Sequence, residues 1–202
     1  MRIGLYGGTF NPVHQGHLLV AQTAFDALGL DEVVFIPAGE PPLKGNHQLV
    51  DGEHRLAMLN AAVADNPNFS VSDFEIRRPG RSFTIDTVRH FAHTSPAGTE
   101  LFFILGDDCT AKLDRWKGID ELRQLVRFVN VDRLASSPDT PDGDVLSLKM
   151  PTFGISSTLL RERLARKQSI RYLAPTPVID YIRRHSLYEL NEPTASEILP
   201  HA

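Results

Sequence analysis

Arg2-Ile3-Gly4-Leu5-Tyr6-Gly7-Gly8-Thr9-Phe10-Asn11-Pro12-Val13-His14-Gln15-Gly16-His17 decides how the rest of this chain is read. Residues 2–6 form an apolar-rich run of strand length. After Gly16 the spacing turns helical, with Leu18, Ala21, Phe25 and Leu28 on one side. Between the two lie paired glycines, a turn-favouring Asn11-Pro12 step, and two histidines, His14 and His17. A strand, a glycine loop and a helix start in immediate succession make an anion site, because the first N–H groups of a helix lack partners and point outward. Imidazoles beside them can donate to phosphate oxygens as charge builds in a transition state. The stretch predicts chemistry on a nucleotide phosphate.

Outward from it, apolar strand-like runs alternate with helical spacing. Strands are predicted over residues 32–36, 69–74, 101–105, 126–131 and 145–148. Helices are predicted over 53–63 and 84–93, over a short stretch closing at 122–125, from Ser156 onward, and over 178–184. Asp51 is placed to cap the second helix, with Leu56, Leu59 and Val63 as its buried stripe. Residues 101–105 are continuously apolar, the pattern of a strand covered on both faces. This alternation implies an α/β fold, a Rossmann-like, mostly parallel sheet with helices on both faces. Residues 136–143, rich in Ser, Pro, Asp and Gly, read as a surface loop. Residues 1–188 are expected to form a single domain, with 189–202 a loosely ordered C-terminal tail.

Composition narrows the function classes. The chain has 202 residues, 42% of them hydrophobic, enough for one good core. A formal net charge of −4 argues against a nucleic-acid binder, which normally shows a basic face. Cys109 is the single cysteine, so no internal disulfide can form and a reducing compartment suits the chain. The opening run is a strand rather than a secretory leader, and no apolar run approaches the ~20 residues of a membrane span. A cytoplasmic protein without membrane contact is expected; a homo-oligomer is compatible with the sequence, which does not decide it.

Neither G-x-G-x-x-G nor G-x-x-x-x-G-K-[ST] occurs, which weakens dehydrogenase and P-loop readings. A zinc site needs three or four ligands, and Cys109, His47, His54 and His90 offer no spaced set beside His14 and His17. Ser156 is a good N-cap, and Arg161 falls about one turn into that helix, within reach of an anion held at its end. Ordinary capping with a solvated arginine explains the same residues. Lys44 follows the proline-stiffened Pro41-Pro42-Leu43 after the second strand, and either neutralises phosphate or is simply solvated. Gly106-Asp107-Asp108 closes the apolar strand, where Asp108 either accepts from a ribose hydroxyl or amine, or caps a helix. Trp116, the only tryptophan, is either core packing or a stacking surface for a ring. In Ser82-Phe83-Thr84, capping by Ser82 or Thr84 competes with substrate contact.

The pattern His14-x-Gly16-His17 after a first strand resembles the H-x-G-H nucleotidyltransferases related to class I aminoacyl-tRNA synthetases. The ordered set is more specific. Gly7 to His17, Pro41-Pro42-Leu43-Lys44, Ser82 to Thr87, Gly106-Asp107-Asp108, Trp116, Ile155-Ser156-Ser157-Thr158 with Arg161, and Leu187-Tyr188 together resemble the bacterial nicotinate-nucleotide adenylyltransferase family. The resemblance implies a nucleotidyltransferase domain that joins ATP to nicotinate mononucleotide by direct in-line attack on the α-phosphorus, with pyrophosphate leaving. It implies that His14, His17, Lys44 and Arg161 hold the triphosphate. It implies further that Gly7, Gly8, Thr9, Phe10, Gly106, Asp108, Ile155, Ser156 and Ser157 surround ATP, while Thr84 and Trp116 receive the acceptor. Mg²⁺ is expected to arrive with ATP rather than in a protein cage. Two departures stand out: Leu43 where the family usually has His, and Arg133-Leu134-Ala135 where it tends to have Arg-Pro-Gly.

Overall fold

A computed structural model of the chain describes residues 1–39, 49–106, 110–132, 145–151 and 154–188. Its sheet runs in the order β3-β2-β1-β4-β5-β6, with every neighbouring pair parallel. The strands are β1 (Arg2–Gly8), β2 (Glu32–Pro37), β3 (Phe69–Val71), β4 (Glu100–Leu105), β5 (Arg127–Asp132) and β6 (Val145–Lys149). Residues alternate strictly between two apolar layers. Ile3 and Leu5 of β1, Val34 and Ile36 of β2, and Leu101, Phe103 and Leu105 of β4 enter one cluster. Tyr6, Val33, Phe35, Phe102 and Ile104 enter the other. Helices α4 (Thr84–Thr94) and α5 (Ile119–Leu125) cover the first layer through Ile85, Val88 and Leu122. Helices α1 (Gln15–Leu28), α2 (Gly52–Val63), α6 (Ser157–Ala165) and α7 (Thr176–Arg184) cover the second. The Rossmann-like parallel sheet clad on both faces is therefore as the alternation predicts.

Local chemistry sets the element ends. Asp51 caps α2 by accepting from the Glu53 N–H at 2.9 Å, as expected. Gly29 ends α1 with a φ of 56°, a left-handed conformation that carries a Cβ penalty in other residues. Two expectations need correction. The buried face of α2 is Arg55, Met58, Leu59, Ala62 and Val63, and Leu56 is only half-buried. The strand predicted over 69–74 stops at Val71, and a one-turn helix α3 (Phe74–Arg77) follows. The hydroxyl of Ser72 accepts from the Phe74 N–H at 3.3 Å, and the Asp73 carbonyl accepts from the Arg77 N–H at 2.9 Å, so local bonds replace the ladder. A 3₁₀ helix over Thr110–Arg115 carries no signal in the periodicity. The loop expected at 136–143 and the tail expected at 189–202 lie outside the described residues.

Candidate active site

Strand β1 pairs with β2 on one side and β4 on the other, and the chain leaves their carboxyl ends toward opposite faces of the sheet. Such a reversal opens a crevice at the strand ends. A cleft of about 500 Å³ occupies it, lined by Gly7, Gly8 and Thr9 after β1, Ala38 after β2, and Leu105 and Gly106 after β4. Glu75, Ser82, Phe83 and Thr84 close one side, and Arg115, Trp116 and Lys117 close another.

Trp116 stands between core and cleft. It packs edge-on against Phe103 at 5.8 Å and Phe128 at 6.1 Å, yet remains part of the cleft wall. Capping by Ser82 or Thr84 is not what the structure contains. Phe83 is the N-cap of α4 and makes no side-chain cap bond, while Thr84 is the first helical residue. The Ser82 hydroxyl instead accepts from the Gly39 N–H at 3.2 Å. A Cβ at Gly39 would lie 2.2 Å from the Glu75 carbonyl oxygen, so only glycine lets the chain leaving β2 rest on α3. At the rim, the Lys117 ammonium sits 4.2 Å from the centre of the Phe83 ring. The Glu75 carboxylate accepts from the Thr87 hydroxyl at 2.6 Å.

Beyond the loop, His14 is the N-cap of α1 and is only 1% exposed. Its ring stacks on that of His17, with centroids 3.7 Å apart and planes inclined by 26°. The His14 N–H donates to His17 Nδ1 at 3.2 Å. Phe10 meets His17 edge-on at 4.9 Å and Tyr6 at 5.4 Å, fixing one side of the His17 ring. Gly16 has a specific reason to be glycine: a Cβ there would lie 3.0 Å from two atoms of the His14 imidazole. In this structure the glycine makes room for the neighbouring ring.

The second helix start is docked onto the same loop. Ser156 caps α6 as expected, accepting from the Leu159 N–H at 3.1 Å. The Ser157 hydroxyl donates to the Pro12 carbonyl at 2.9 Å, and Arg161 Nη1 donates to the Asn11 carbonyl at 2.8 Å. The Ile155 carbonyl lies 3.5 Å from the Cβ position of Gly16, so the N-termini of α1 and α6 meet. The structure thus brings together His14, His17, Arg161, Ile155, Ser156 and Ser157. It places Gly7, Gly8, Thr9, Gly106, Thr84 and Trp116 around the cleft. Phe10 is 2% exposed as a residue and its side chain belongs to the core layer under α1, so what it offers a nucleotide is backbone rather than ring. Lys44 and Asp108 lie outside the described residues. The two imidazoles are not part of the cleft lining among the described residues; the loop from Thr9 to His14 separates the two patches and joins them.

Sequence reasoning missed a layer beneath this loop. Arg55 is 1% exposed, and its guanidinium donates to four carbonyls: Ala38 at 2.7 Å, Val50 at 2.9 Å, Thr9 at 3.1 Å and Gly39 at 3.2 Å. Burial lowers its basicity, opposed by Tyr188, Asp51 and Glu75. Its signal was available, since Arg55, Met58, Leu59 and Ala62 fall at helical spacing on one face. Asn11 is 3% exposed, and its Oδ1 accepts from the Tyr188 hydroxyl at 2.8 Å and the Val50 N–H at 3.3 Å. Burial raises the Tyr188 phenol above its ordinary value, which keeps it a donor. No residue spacing announces that pairing.

Comparison with known proteins gives the family and the fold. The cytidylyltransferase-like family matches residues 5–163. A Geobacillus thermodenitrificans relative named "probable nicotinate-nucleotide adenylyltransferase" is 44% identical over 93% of this chain and 86% of its own. One of the same name from Shouchella clausii is 46% identical over 93% and 96%. In fold, the chain matches the Plasmodium falciparum nicotinic acid mononucleotide adenylyltransferase with a TM-score of 0.76 at 19% identity, covering 94% of this chain and 98% of that one. With the two helix starts, paired imidazoles and switch-point cleft in place, the chain belongs to the nicotinate-nucleotide adenylyltransferase family.

Proposed function

We propose that residues 1–188 act as one nucleotidyltransferase domain in which the 5′-phosphate of nicotinate mononucleotide attacks the α-phosphorus of ATP. The new P–O bond forms as the bond to the β-phosphate oxygen breaks, giving nicotinate adenine dinucleotide and pyrophosphate. Family membership makes the chain an adenylyltransferase of NAD biosynthesis. The observation that carries the mechanism is the meeting of His14, His17 and Arg161 at two adjoining helix starts. Hydrogen-bond donors and partial positive charges converge there, which suits a polyphosphate whose charge shifts during transfer. No covalent step on the protein is needed, so positioning and charge stabilisation supply the rate.

In this reading His14, His17, Arg161 and Lys44 hold the triphosphate. Gly7, Gly8, Thr9, Gly106 and Asp108 border the adenosine with the backbone of Phe10, and residues 155–157 border the phosphates. Trp116 stacks on the acceptor ring, and Thr84, at the open start of α4, meets the ring's carboxylate side. Among the described residues no three His, Cys, Asp or Glu side chains are grouped to hold a metal. A magnesium ion carried by the nucleotide would offset phosphate charge. No helix among the described residues is long and apolar enough to cross a membrane. With one cysteine and a net charge of −4, the chain fits a reducing cytoplasm and small anionic substrates rather than nucleic acid. Pyrophosphate release from ATP with nicotinate mononucleotide, against nicotinamide mononucleotide, tests the reading. Faster turnover of the amide overturns the acceptor assignment.

A further inference from the structure

Arg55 is the one fully buried arginine among the described residues, and no carboxylate among them lies within salt-bridge distance of it. Four of its N–H groups are spent on carbonyls from three chain segments: Thr9 after β1, Ala38 and Gly39 after β2, and Val50 before α2. Removing a guanidinium from water without a carboxylate in contact is costly, Asp51 and Glu75 acting only from a distance, and a network of neutral side chains could cap carbonyls at less expense. What a neutral side chain cannot do is serve four acceptors with one rigid planar fork. The fork fixes distances between backbone atoms that border the catalytic cleft, because Thr9 and Ala38 both line it. The Thr9 carbonyl belongs to the residue before Phe10, whose ring bears on His17 and whose φ of 48° is held in a region non-glycine residues seldom use.

We propose that Arg55 is a positioning residue for AMP transfer, its guanidinium locking the Thr9–Phe10 turn against the end of β2 and so holding His17 in the geometry that the transferring phosphate requires. The proposal rests on the adenylyltransferase reading above. Arg55 touches no substrate in it; it acts through the backbone of Thr9 and through Phe10. A residue of this kind governs turnover more than ground-state affinity, since misplacement by about 1 Å can cost on the order of 10²-fold in rate.

The test uses the full chain with Arg55→Lys and Arg55→Gln, read by thermal melting, direct ATP binding, and turnover at saturating ATP and nicotinate mononucleotide. The expected result is a folded protein whose ATP Kd stays within about threefold while kcat falls ~10-fold or more, the signature of an interaction realised in the transition state. Arg55→Lys, which keeps the charge but loses the fork, is expected to recover only a minor part of kcat. Unchanged kcat in a folded variant, or a kcat loss matched by an equal loss of ATP binding, overturns the proposal. Failure of both variants to fold overturns it too, a scaffold role then accounting for the residue. Absence of pyrophosphate from the parent chain overturns the adenylyltransferase reading and this proposal with it, whereas an active parent with undiminished variants overturns this proposal alone.

Discussion

The His14 and His17 rings stack 3.7 Å apart while the His14 backbone N–H donates to His17 Nδ1 at 3.2 Å. That one bond assigns the tautomer. With Nδ1 accepting, the hydrogen of a neutral His17 ring resides on Nε2, the nitrogen on the far side of the imidazole. The first turn of α1 thereby turns a histidine into a directed donor.

His17→Ala removes that donor. Turnover is expected to fall ~10²-fold or more, the scale for losing a preorganised donor to developing charge. Thermal stability should change little, because His17 is only half-buried. Steady-state pyrophosphate release beside a melting curve checks both halves, and a drop in kcat under about threefold would remove His17 from its role.

Gly16→Ala attacks the same pair from the other side. The new methyl would lie 3.0 Å from the Cε1 and Nδ1 atoms of His14, so the ring has to give by a small displacement within the stack. Gly16 lies in the first turn of α1, where exchanging glycine for alanine costs the helix little. The expected outcome is a protein of near-parent stability with kcat reduced by roughly threefold, less than the loss for a full ångström of misplacement. Full activity in this variant would show that the stacked arrangement is dispensable.

Trp116→Ala separates the substrates. Trp116 lines the cleft beside Thr84 and packs edge-on against Phe103 and Phe128, away from the imidazole pair. The acceptor KM should rise at least ~10-fold, the equivalent of 1.4 kcal/mol of lost stacking and burial, with the KM of ATP nearly unchanged. Equal rises in both constants would mark a purely structural tryptophan.

Tyr188→Phe probes the support beneath the loop. The phenol donates to Asn11 Oδ1 at 2.8 Å, and Val50 still supplies a second donor, so the loss should be about 1 kcal/mol by denaturant unfolding. Burial raises the phenol above its ordinary value of 10.0, so the folded state favours the neutral form. That contribution is complete below pH 10.0 and fades as the pH climbs through the raised folded value. Unfolding free energies measured from pH 8 to 11 should show a shallower alkaline decline in the phenylalanine variant, and identical slopes would exclude the contribution.

What the sequence revealed followed from periodicity and short-range rules. The alternation of β1, β2 and β4, the caps at Asp51 and Ser156, and the clustering around His14 and His17 are local or near-local properties. The missed layer is long-range. Tyr188 meets Asn11 across 177 residues, and Arg55 reaches Thr9 across 46, separations at which no spacing rule operates. An apolar stripe through Leu56, Leu59 and Val63 passes over Arg55, because arginine is ordinarily exposed. The helical spacing pointed inward all along, and four carbonyls satisfy the charge there. The short strand β3 failed for a different reason: Ser72 and Asp73 offered the backbone closer partners than the sheet did.

The bond between Tyr188 and Asn11 sets an order of events during synthesis. A chain released as far as residue 150 already contains each of the six strands, yet it lacks Arg161 and Tyr188, two of the groups that brace the turn at Asn11. The nascent protein therefore holds its strands before it holds α6 and α7, and the turn translated first is braced last.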